Sequence, residues 1–345
     1  MNYVFLPGTT TEVSTLCLGT MTFGRQNTEA EAHAQIEMAL DSGINFMDTA
    51  EMYPVPALEK NYGATEKIIG SWLKKSGKRH NMVLATKMAG ANRGLPFVRE
   101  DLRYTPATIR LSVEKSLNRL QTDYIDLFQL HWPERKSNMF GQLGFQISED
   151  AWEDNTKAVL ETMAILVSEG KIRHFGISNE TPWGLMRFLE ESKKHGLPKP
   201  VTIQNPYSLV NRTLEIGISE ILFREKVGLL AYSPLGFGIL TGKYGMGQYQ
   251  QEARLNLFPN FTRYNSKEAR DAAACYVDLA NQHGISPAQL ALAFIQAQPW
   301  VSSTIVGATT LGQLSENIGS VHVVLTPEII SGIERIHTKF PNPAP

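Results

Sequence analysis

Eight short apolar runs alternate with longer stretches that have the spacing of amphipathic helices, and this alternation constrains the fold more than any other feature. The runs are rich in β-branched residues and predict strands at 13–19, 44–49, 82–87, 124–131, 172–178, 201–206, 227–233 and 303–308. Helices are predicted at 28–42, 65–76, 106–120, 154–169, 182–195, 212–225, 267–283, 287–298 and 310–319. Strands that are each followed by a helix are typical of a parallel sheet with helical crossovers. Because eight such strands close a barrel, we expect a (β/α)8 TIM barrel of the α/β class.

Helix starts and the first residues of the chain support this architecture. Thr105, Thr181 and Ser286 each stand directly before a proline, which is the pattern of a helix cap followed by the first helical residue. Residues 2–14, NYVFLPGTTTEVS, predict a β-hairpin ahead of the first barrel strand. This hairpin has no crossover partner, so we expect it to close the bottom of the barrel.

Three connections are longer than those usual between barrel elements: 50–63, 132–150 and 234–264. Long loops after barrel strands are commonly functional. The sequence shows no internal repeat, low-complexity stretch or linker, so residues 1–345 are expected to form a single domain.

Composition narrows the expected partners and compartment. The formal net charge is -1, which gives no electrostatic reason to expect nucleic acid or an anionic membrane as a partner. Residues 1–20 lack a basic start followed by an apolar stretch, and no apolar run is long enough for a membrane span. Cys17 and Cys275 are far apart, and the apolar surroundings of Cys17 are typical of a buried free thiol. These features favour a reducing, cytoplasmic location.

Four ionisable side chains stand at the ends of three successive predicted strands: Asp48, Tyr53, Lys87 and His131. The ends of parallel barrel strands meet at one face, so these side chains can converge on one pocket. A phenol has a pKa of ~10 in water, and a nearby ammonium such as that of Lys87 favours the phenolate and lowers this pKa. Asp48 can pair with a buried lysine, and His131 can donate a hydrogen bond to a substrate carbonyl. The set therefore suits proton transfer to a carbonyl group.

Each of these residues also has a plain structural explanation. Asp48 can cap a helix, and Tyr53 can be an ordinary loop aromatic. Lys87 can extend to solvent from a strand end, and His131 can be a hydrogen-bonded core residue. Their joint occurrence at the ends of strands two to four favours the functional interpretation.

A second polar group follows predicted strands five to seven. Ser178 and Asn179 stand at the end of one predicted strand, and Gln204 and Asn205 follow VTI in the next. These side chains can bind the edge of a flat carboxamide. Tyr232 begins YSPLGFGILTGKY, where an aromatic ring can stack on a planar ligand and the glycines let the backbone approach a pyrophosphate. An ordinary Gly/Pro loop is the alternative. The GFGxxxG spacing is not GxGxxG, so a Rossmann fold is not predicted.

A third segment, STIVGATTLGQLSEN, places a strand, a glycine and two threonines ahead of a helix. This pattern can receive a phosphate at the helix N-terminus, as barrels often do after their last strands. The alternative is a plain turn capped by Thr309 or Thr310. Metal ligation is not predicted, because no HxH, HxxE or HExxH spacing is recognised among the eight histidines. No GxSxG motif or Cys–His pair predicts a hydrolase.

Taken together, these motifs resemble those of the aldo-keto reductases. In the family's order and over nearly the whole chain stand LGTMTFG, FMDTAEMYP, the strand-end Lys87, LFQLHWP, GISN, QNPYS, AYSPLGFGILTGKY and IVGATTLGQLSEN. One bacterial branch of the family is suggested by EMYPVP, HWPER and LFPNFTRY. The resemblance implies a barrel that binds NADPH without a metal and reduces aldehydes or ketones.

The resemblance also implies roles for particular residues. Asp48, Tyr53, Lys87 and His131 would form the catalytic tetrad, with Tyr53 as the general acid. Ser178, Asn179 and Gln204 would bind the nicotinamide carboxamide and Tyr232 would pack against its ring, while residues 232–243 would run along the pyrophosphate. The adenosine end would lie near Gly307, Thr309, Gln313, Glu316 and Asn317. The complete set expected at the cofactor is Gly19, Thr20, Met21, Asp48, Ser178, Asn179, Gln204, Tyr232, Ser233, Pro234, Leu235, Gly236, Phe237, Gly238, Leu240, Lys243, Arg254, Gly307, Thr309, Gln313, Glu316 and Asn317.

Two features depart from the family pattern. Many of its reductases hold the 2′-phosphate of NADP with a lysine and an arginine in the last segment, where this chain has Gly307 and Gln313. The charge must then come from elsewhere, and Lys243 and Arg254 in the long seventh loop are the candidates. Residues 133–150 form a long insert in the fourth loop, which is expected to shape substrate access.

Two other functions are open on sequence grounds. The potassium-channel beta subunits share the family's fold, so a cofactor-binding regulatory protein with slow reductase activity is the second interpretation. A Schiff-base aldolase that uses Lys87 is the third. On the leading interpretation the partner is a small carbonyl compound, and Trp132, Met52, Phe23 and Tyr53 suggest an apolar mouth for it. The physiological substrate and the oligomeric state are not predicted.

Overall fold

The computed structural model describes residues 1–91, 93–145, 152–245 and 253–345. The first two strands, β1 (Tyr3–Phe5) and β2 (Glu12–Ser14), pair antiparallel as a hairpin. Leu6 and Val13 of the hairpin are fully buried in one cluster with the lower interior positions of the barrel, among them Phe46, Val83 and Leu127. The hairpin therefore closes the bottom of the barrel, as expected.

The barrel itself consists of eight parallel strands. They are β3 (Leu16–Gly19), β4 (Phe46–Asp48), β5 (Val83–Met88), β6 (Ile125–Leu130), β7 (Ile172–Ser178), β8 (Thr202–Pro206), β9 (Gly228–Tyr232) and β10 (Val301–Val306). Their hydrogen-bonded order is β10-β3-β4-β5-β6-β7-β8-β9, and the sheet is closed. The predicted (β/α)8 barrel is confirmed.

Helices follow the strands and cover the outside of the barrel. They are α1 (Glu29–Asp41), α2 (Ala64–Ser76), α3 (Pro106–Leu120), α4 (Thr156–Ser168), α5 (Pro182–His195), α6 (Ile218–Glu225), α7 (Arg254–Leu257), α8 (Lys267–Gln282), α9 (Pro287–Gln296), α10 (Leu311–Gly319) and α11 (Pro327–Lys339). Shorter 3-10 helices occur at Glu59–Asn61, Arg79–Asn81, Thr213–Glu215, Gly236–Thr241 and Ser320–His322. Thr105, Thr181 and Ser286 each accept a hydrogen bond from a backbone amide three residues on, so the predicted caps of α3, α5 and α9 are confirmed. In the described ranges, no helix combines the length and the apolar character that a membrane crossing requires.

Some predicted boundaries differ from the structure. The strand predicted at 13–19 divides between the hairpin and the barrel, because β2 ends at Ser14 and β3 begins at Leu16. The helix predicted at 212–225 is a 3-10 turn followed by α6, and the break falls at Gly217, whose φ of 128° is incompatible with a right-handed helix. The C-terminal helix α11 was not predicted, although Thr326 and Pro327 at its start repeat the cap pattern recognised elsewhere.

The connections after the strands define the face that carries the site. Those after β4, β6 and β9 are long, as predicted, although residues 146–151 and 246–252 within them lie outside the described residues. A fourth long connection, residues 89–105 after β5, was not predicted. All four leave the carboxyl ends of their strands and so meet on one face of the barrel.

Candidate active site

Lys87 occupies the centre of the upper barrel interior. Its side chain is fully buried, and its ammonium lies 2.6 Å from Asp48 Oδ2. The same nitrogen donates to the carbonyl oxygen of Thr49 at 2.8 Å and to the hydroxyl of Tyr53 at 3.5 Å. Its three donors therefore have three oxygen partners, which is the condition for holding an ammonium out of water.

Asp48 is fixed from its other oxygen by two amides. Asp48 Oδ1 accepts from Gln129 Nε2 at 3.1 Å and from Gln204 Nε2 at 2.9 Å. Gln129 stands opposite Lys87 in the β5–β6 pairing, so both side chains face the same layer of the barrel interior. Gln129 was not predicted from the sequence, although it is one of only two polar residues in β6, the other being Asp126.

The charges in this cluster shift the pKa values of its members. Burial opposes the charge of Lys87, but Asp48 and then Tyr53 outweigh it, so the pKa of the ammonium lies above its ordinary value. Burial raises the pKa of the Tyr53 phenol more than Lys87 lowers it. The expectation that Lys87 gives Tyr53 a lowered pKa is therefore wrong. The phenol is protonated at neutral pH, and Lys87 reduces the cost of removing its proton.

His131 completes the predicted set. Its ring lies 5.8 Å from that of Tyr53, centroid to centroid, at 73° between the planes. Burial, followed by the positive charges of Lys87 and Arg93, holds the pKa of His131 well below its usual range. The imidazole is consequently neutral at neutral pH and can donate one N–H to an oxygen in the pocket. Its backbone is fixed on both sides, by Met88 O and by the side-chain amide of Asn179.

The tetrad opens into a large cavity. Its volume is about 950 Å³, enough for a ligand of the size of a dinucleotide together with a small substrate. From the predicted set, its walls include Gly19, Thr20, Met21, Asp48, Tyr53, His131, Asn179, Gln204, Tyr232, Ser233, Pro234, Leu235, Phe237, Gly238, Lys243, Arg254, Gly307, Thr309, Gln313, Glu316 and Asn317. Lys87 lies behind Tyr53 and Asp48, and Ser178, Gly236 and Leu240 do not line the cavity. Trp132 and Met52 line it as expected, whereas Phe23 is packed in the core.

The predicted carboxamide-binding residues bond mainly to one another. Asn179 accepts from the Tyr232 hydroxyl at 2.6 Å, and its amide donates to the backbone oxygen of His131 at 2.8 Å. Ser178 Oγ donates to the backbone oxygen of Gln204 at 2.8 Å. Burial raises the pKa of Tyr232 to about 12, so this phenol stays neutral. Asn179 and Gln204 therefore hold His131 and Asp48, while Ser178 and Tyr232 support them in turn, a role that was not predicted from the sequence.

The glycine-containing turn after β9 has an unusual backbone. Ser233, Phe237 and Gly238 have positive φ values of 53°, 55° and 94°. A Cβ atom on Gly238 would collide with the Lys243 side chain, which crosses this turn. Only glycine at this position lets the lysine lie across the backbone.

Three cations on the cavity wall have no hydrogen-bond or ion-pair partner among the described residues: Arg93, Lys243 and Arg254. Arg254 lies over the Phe237 ring, 5.1 Å from its centroid, and burial lowers its pKa. Every other arginine in the described ranges donates at least one hydrogen bond, for example Arg79 to Asp126 and Arg263 to the Pro345 oxygen. The sequence analysis identified Lys243 and Arg254 but missed Arg93.

The turn after β10 is capped from within. Thr310 accepts from the backbone amide of Gln313, which confirms one of the two predicted caps. The Gln313 side chain accepts in return from the amide and hydroxyl of Thr309 at 2.9 and 3.0 Å. Glu316 accepts from Ser286 on α9, 2.7 Å away.

No group of histidine, cysteine, aspartate and glutamate side chains that could hold a metal ion is found in the described part of the chain. His131 and Glu134 do have HxxE spacing, but the Glu134 carboxylate accepts from the Tyr104 amide and from Asn155. Both of its carboxylate oxygens are therefore engaged by these donors.

The strand order divides the cavity into two halves. In the closed order, β5 and β6 stand opposite β9 and β10. Arg93, Trp132 and Phe140 follow β5 and β6, whereas Lys243 and Arg254 follow β9. Gly307 to Asn317 follow β10. The tetrad stands at the ends of β4, β5 and β6, on the same side of the barrel as the first pair of connections.

The chain belongs to the aldo/keto reductase family, whose model matches residues 15–338. It is 49% identical over the full length of both chains to Protein tas of Escherichia coli, which confirms the predicted bacterial Tas-like branch. It is 33% identical to the uncharacterized oxidoreductase YrpG of Bacillus subtilis, over 99% of this chain and 97% of that one. It is 29% identical to a probable voltage-gated potassium channel subunit beta of rice, over 97% and 96% of the two chains. The protein is an oxidoreductase enzyme of a family that generally uses nicotinamide cofactors.

Proposed function

We propose that this enzyme reduces aldehydes or ketones to alcohols with NADPH, and that Tyr53 is the general acid. One observation carries the proposal. A buried ammonium, Lys87, is shared between Asp48 at 2.6 Å and the Tyr53 hydroxyl at 3.5 Å, and Tyr53 and Asp48 line the large cavity. An ammonium in this position stabilises the phenolate that forms when Tyr53 gives up its proton.

The side chains have separate tasks in the reaction. A reduced nicotinamide, when bound, supplies the hydride to the carbonyl carbon. Tyr53 donates its phenolic proton to the carbonyl oxygen, and Lys87 compensates the negative charge left on the phenol. Asp48 keeps Lys87 charged inside the barrel. Neutral His131 can donate to the same carbonyl oxygen and so orient the substrate towards Tyr53.

The residues on the β9 and β10 side fit a phosphorylated dinucleotide. Lys243 and Arg254 are both on the cavity wall and have no ion-pair partner in the part of the chain that the structure describes. Lys243 lies across the turn at Gly238, where the backbone can approach a ligand closely. Gly307 and Gln313 carry no charge, so we assign the 2′-phosphate of NADPH to Lys243 or Arg254.

A panel of aldehydes and ketones tests the proposal directly. Wild-type protein is mixed with each carbonyl compound and with NADPH or NADH, and loss of reduced cofactor is followed by absorbance. We expect turnover of at least one carbonyl class and a higher kcat/KM with NADPH. An absorbance spectrum of the purified protein adds a check for bound nicotinamide. No oxidation of either cofactor with any carbonyl compound would contradict the proposal.

A second function is favoured by the likeness to the rice protein, which is named a probable potassium channel subunit beta. A regulatory protein of this kind would oxidise bound cofactor slowly and about once per chain, and would bind a protein partner tightly. Single-turnover measurements separate the two, because an enzyme turns over many times with excess carbonyl compound.

The structure of the cluster disfavours a Schiff-base aldolase. An amine must lose its proton to attack a carbonyl, yet the pKa of Lys87 is raised by Asp48 and Tyr53 against the effect of burial. Treatment with borohydride and a carbonyl substrate would trap an imine on Lys87 only if the aldolase interpretation holds.

A further inference from the structure

Arg93 is a cation on the cavity wall that the proposed cofactor binding does not use. It follows β5, on the side of the barrel opposite β9 and β10, whereas Lys243 and Arg254 lie in the connection after β9. Within the described ranges, its side chain has neither a hydrogen bond nor an ion pair, a condition that it shares with Arg254 alone among the arginines. Its guanidinium contacts aromatic rings instead.

A series of neighbouring aromatic and imidazole rings runs from Arg93 to the tetrad. The guanidinium carbon lies 4.3 Å from the centroid of Phe140 and 6.0 Å from that of Trp132. The Trp132 ring lies 4.7 Å from that of His131, which in turn lies 5.8 Å from that of Tyr53. The positive charge of Arg93 also contributes to the lowered pKa of His131. Arg93 therefore lines the same cavity as His131 and Tyr53, the groups proposed to bind the carbonyl oxygen, and is linked to them by neighbouring rings.

The segment that carries Arg93 is anchored at its base. Trp132 Nε1 donates to the backbone oxygen of Ala91 at 2.9 Å. A Cβ atom on Gly90 would lie 3.0 Å from that same nitrogen, so only glycine allows the close approach. Ala89 is held from both sides, since its amide donates to Glu51 and its oxygen accepts from Arg99. These contacts fix where the arginine leaves the barrel.

No carboxylate on the described cavity wall is free to neutralise Arg93. Asp48 and Glu316 are the acidic residues of this wall. Asp48 is paired with Lys87, and Glu316 accepts from Ser286 on the β10 side. Arg93 is exposed to solvent, and partial burial by its surroundings lowers its pKa from the ordinary value without a counter-ion to offset the effect.

We propose that Arg93 binds an anionic group of the substrate, and that the enzyme prefers carbonyl compounds that also carry a carboxylate. A planar guanidinium matches the two oxygens of a carboxylate, and Trp132 and Phe140 offer apolar faces to the part of the molecule in between. The assignment deepens the proposed function and rests on it, because it takes the bound anion to be the carbonyl substrate.

Two aldehydes that differ in charge but hardly in shape test the assignment: 4-formylbenzoate and 4-formylbenzamide. We compare kcat/KM for the pair with NADPH in wild type, Arg93→Gln and Arg93→Lys. The electronic difference between the aldehydes is the same for all three proteins, so it cancels when their ratios are compared. Arg93→Gln is expected to lower the preference for the benzoate about tenfold, a modest factor because solvent reaches the guanidinium. Arg93→Lys should restore part of the preference.

Arg103→Gln is the matched control, because Arg103 lies in the same connection but is exposed and paired with Asp101. It should leave the ratio unchanged. Equal losses for both aldehydes in Arg93→Gln would indicate a structural role and overturn the assignment, as would an unchanged ratio.

A binding experiment separates this inference from the proposed function. Benzoate and benzamide, which cannot be reduced, are titrated against tryptophan fluorescence, to which the neighbouring Trp132 contributes. Benzoate should bind wild type more tightly than benzamide does, and the difference should vanish in Arg93→Gln. One outcome is that wild type reduces 4-formylbenzamide but prefers neither 4-formylbenzoate over it in turnover nor benzoate over benzamide in binding. This outcome would leave the reductase function standing and refute the anion site. Tight benzoate binding without reduction of any aldehyde would support the anion site and refute the reductase.

Discussion

The Lys87 ammonium lies 3.5 Å from the Tyr53 hydroxyl, nearly an ångström longer than its 2.6 Å contact with Asp48. In the ligand-free protein the lysine is thus held mainly by the carboxylate and only weakly by the phenol. This geometry suits a residue that stabilises a phenolate transiently. It also agrees with the raised pKa of Tyr53, for which burial outweighs the effect of Lys87.

Tyr53→Phe should nearly abolish carbonyl reduction while the cofactor still binds. The proton is required when hydride arrives, and general acid catalysis typically contributes about 10²–10⁴-fold. The measurement is kcat with a saturating carbonyl substrate, alongside a fluorescence titration with NADPH as the control for folding and binding. A rate within about twofold of wild type would remove Tyr53 from the acid role.

Lys87→Met should be about as damaging, and the double variant with Tyr53→Phe should be scarcely worse than either single one. The two residues act as a unit, so their effects do not multiply. Without the ammonium the pKa of Tyr53 rises further, because Lys87 lowers it in the wild type. The alkaline limb of the pH–rate profile, where the phenol loses its proton, should therefore move to higher pH. Multiplicative losses in the double variant would refute the coupling.

Asp48→Asn should lower the free energy of unfolding by about 3–5 kcal/mol at neutral pH. It leaves the fully buried Lys87 charge without its carboxylate partner. In the wild type the pKa of Lys87 is raised, so the pair's contribution is complete below the ordinary lysine pKa and is lost as pH rises through the folded value. The difference between the proteins should accordingly shrink at alkaline pH.

Urea unfolding at neutral and alkaline pH measures this effect. Asp101→Asn is the control, because its ion pair with Arg103 is exposed and screened by solvent, so its loss should change stability far less. If Asp48→Asn loses no more stability than Asp101→Asn, then the buried Lys87 does not require the Asp48 carboxylate.

Arg254→Ala should weaken NADPH binding and leave NADH binding nearly unchanged. Arg254 has no counter-ion in the described residues, and a hydrogen bond to a charged group contributes about 1.5–3 kcal/mol. Lys243→Ala should give a smaller loss of NADPH affinity. A planar guanidinium can donate two hydrogen bonds to a phosphate in a fixed geometry, whereas an ammonium acts as a point charge. Dissociation constants for both cofactors come from fluorescence titration of wild type and each variant.

Arg270→Ala serves as the control for this series, since Arg270 is exposed and bonded to Asn265. Equal losses of NADPH and NADH affinity in Arg254→Ala would mean that this arginine does not bind the 2′-phosphate. Tighter binding of NADH than NADPH by the wild type would overturn the cofactor preference itself.

Local sequence signals were sufficient to predict the barrel. The Thr–Pro and Ser–Pro pairs located the starts of α3, α5 and α9 because a cap and a proline act through the adjacent backbone alone. Asp48, Lys87 and His131 could be placed together because strand ends in a parallel barrel share one face. The helix α11 was missed although the same signal was present at Thr326 and Pro327.

The features that sequence reasoning missed depend on contacts between distant parts of the chain. The polarity of Gln129 is visible in the sequence, but its role is not, because the contact of its amide with Asp48 depends on the register of β5 and β6. Nothing local distinguishes Arg93 from the other arginines, since what sets it apart is a missing partner. The net rise in the pKa of Tyr53 likewise depends on how completely the folded barrel covers the phenol.

The opposition of β5 and β6 to β9 and β10 has a practical consequence for redesign. A library of variants confined to residues 89–105 and 132–145 would alter the wall around Trp132 and Arg93 without touching the turn at Gly238 or the residues after β10. On the proposed function, selection for a new carbonyl compound can proceed in the first wall while the residues assigned to NADPH stay unchanged. A converse library in the second wall would change the cofactor while the carbonyl compound is kept. The proposed carbonyl specificity and the proposed cofactor specificity can thus be altered separately, because different connections form the two walls.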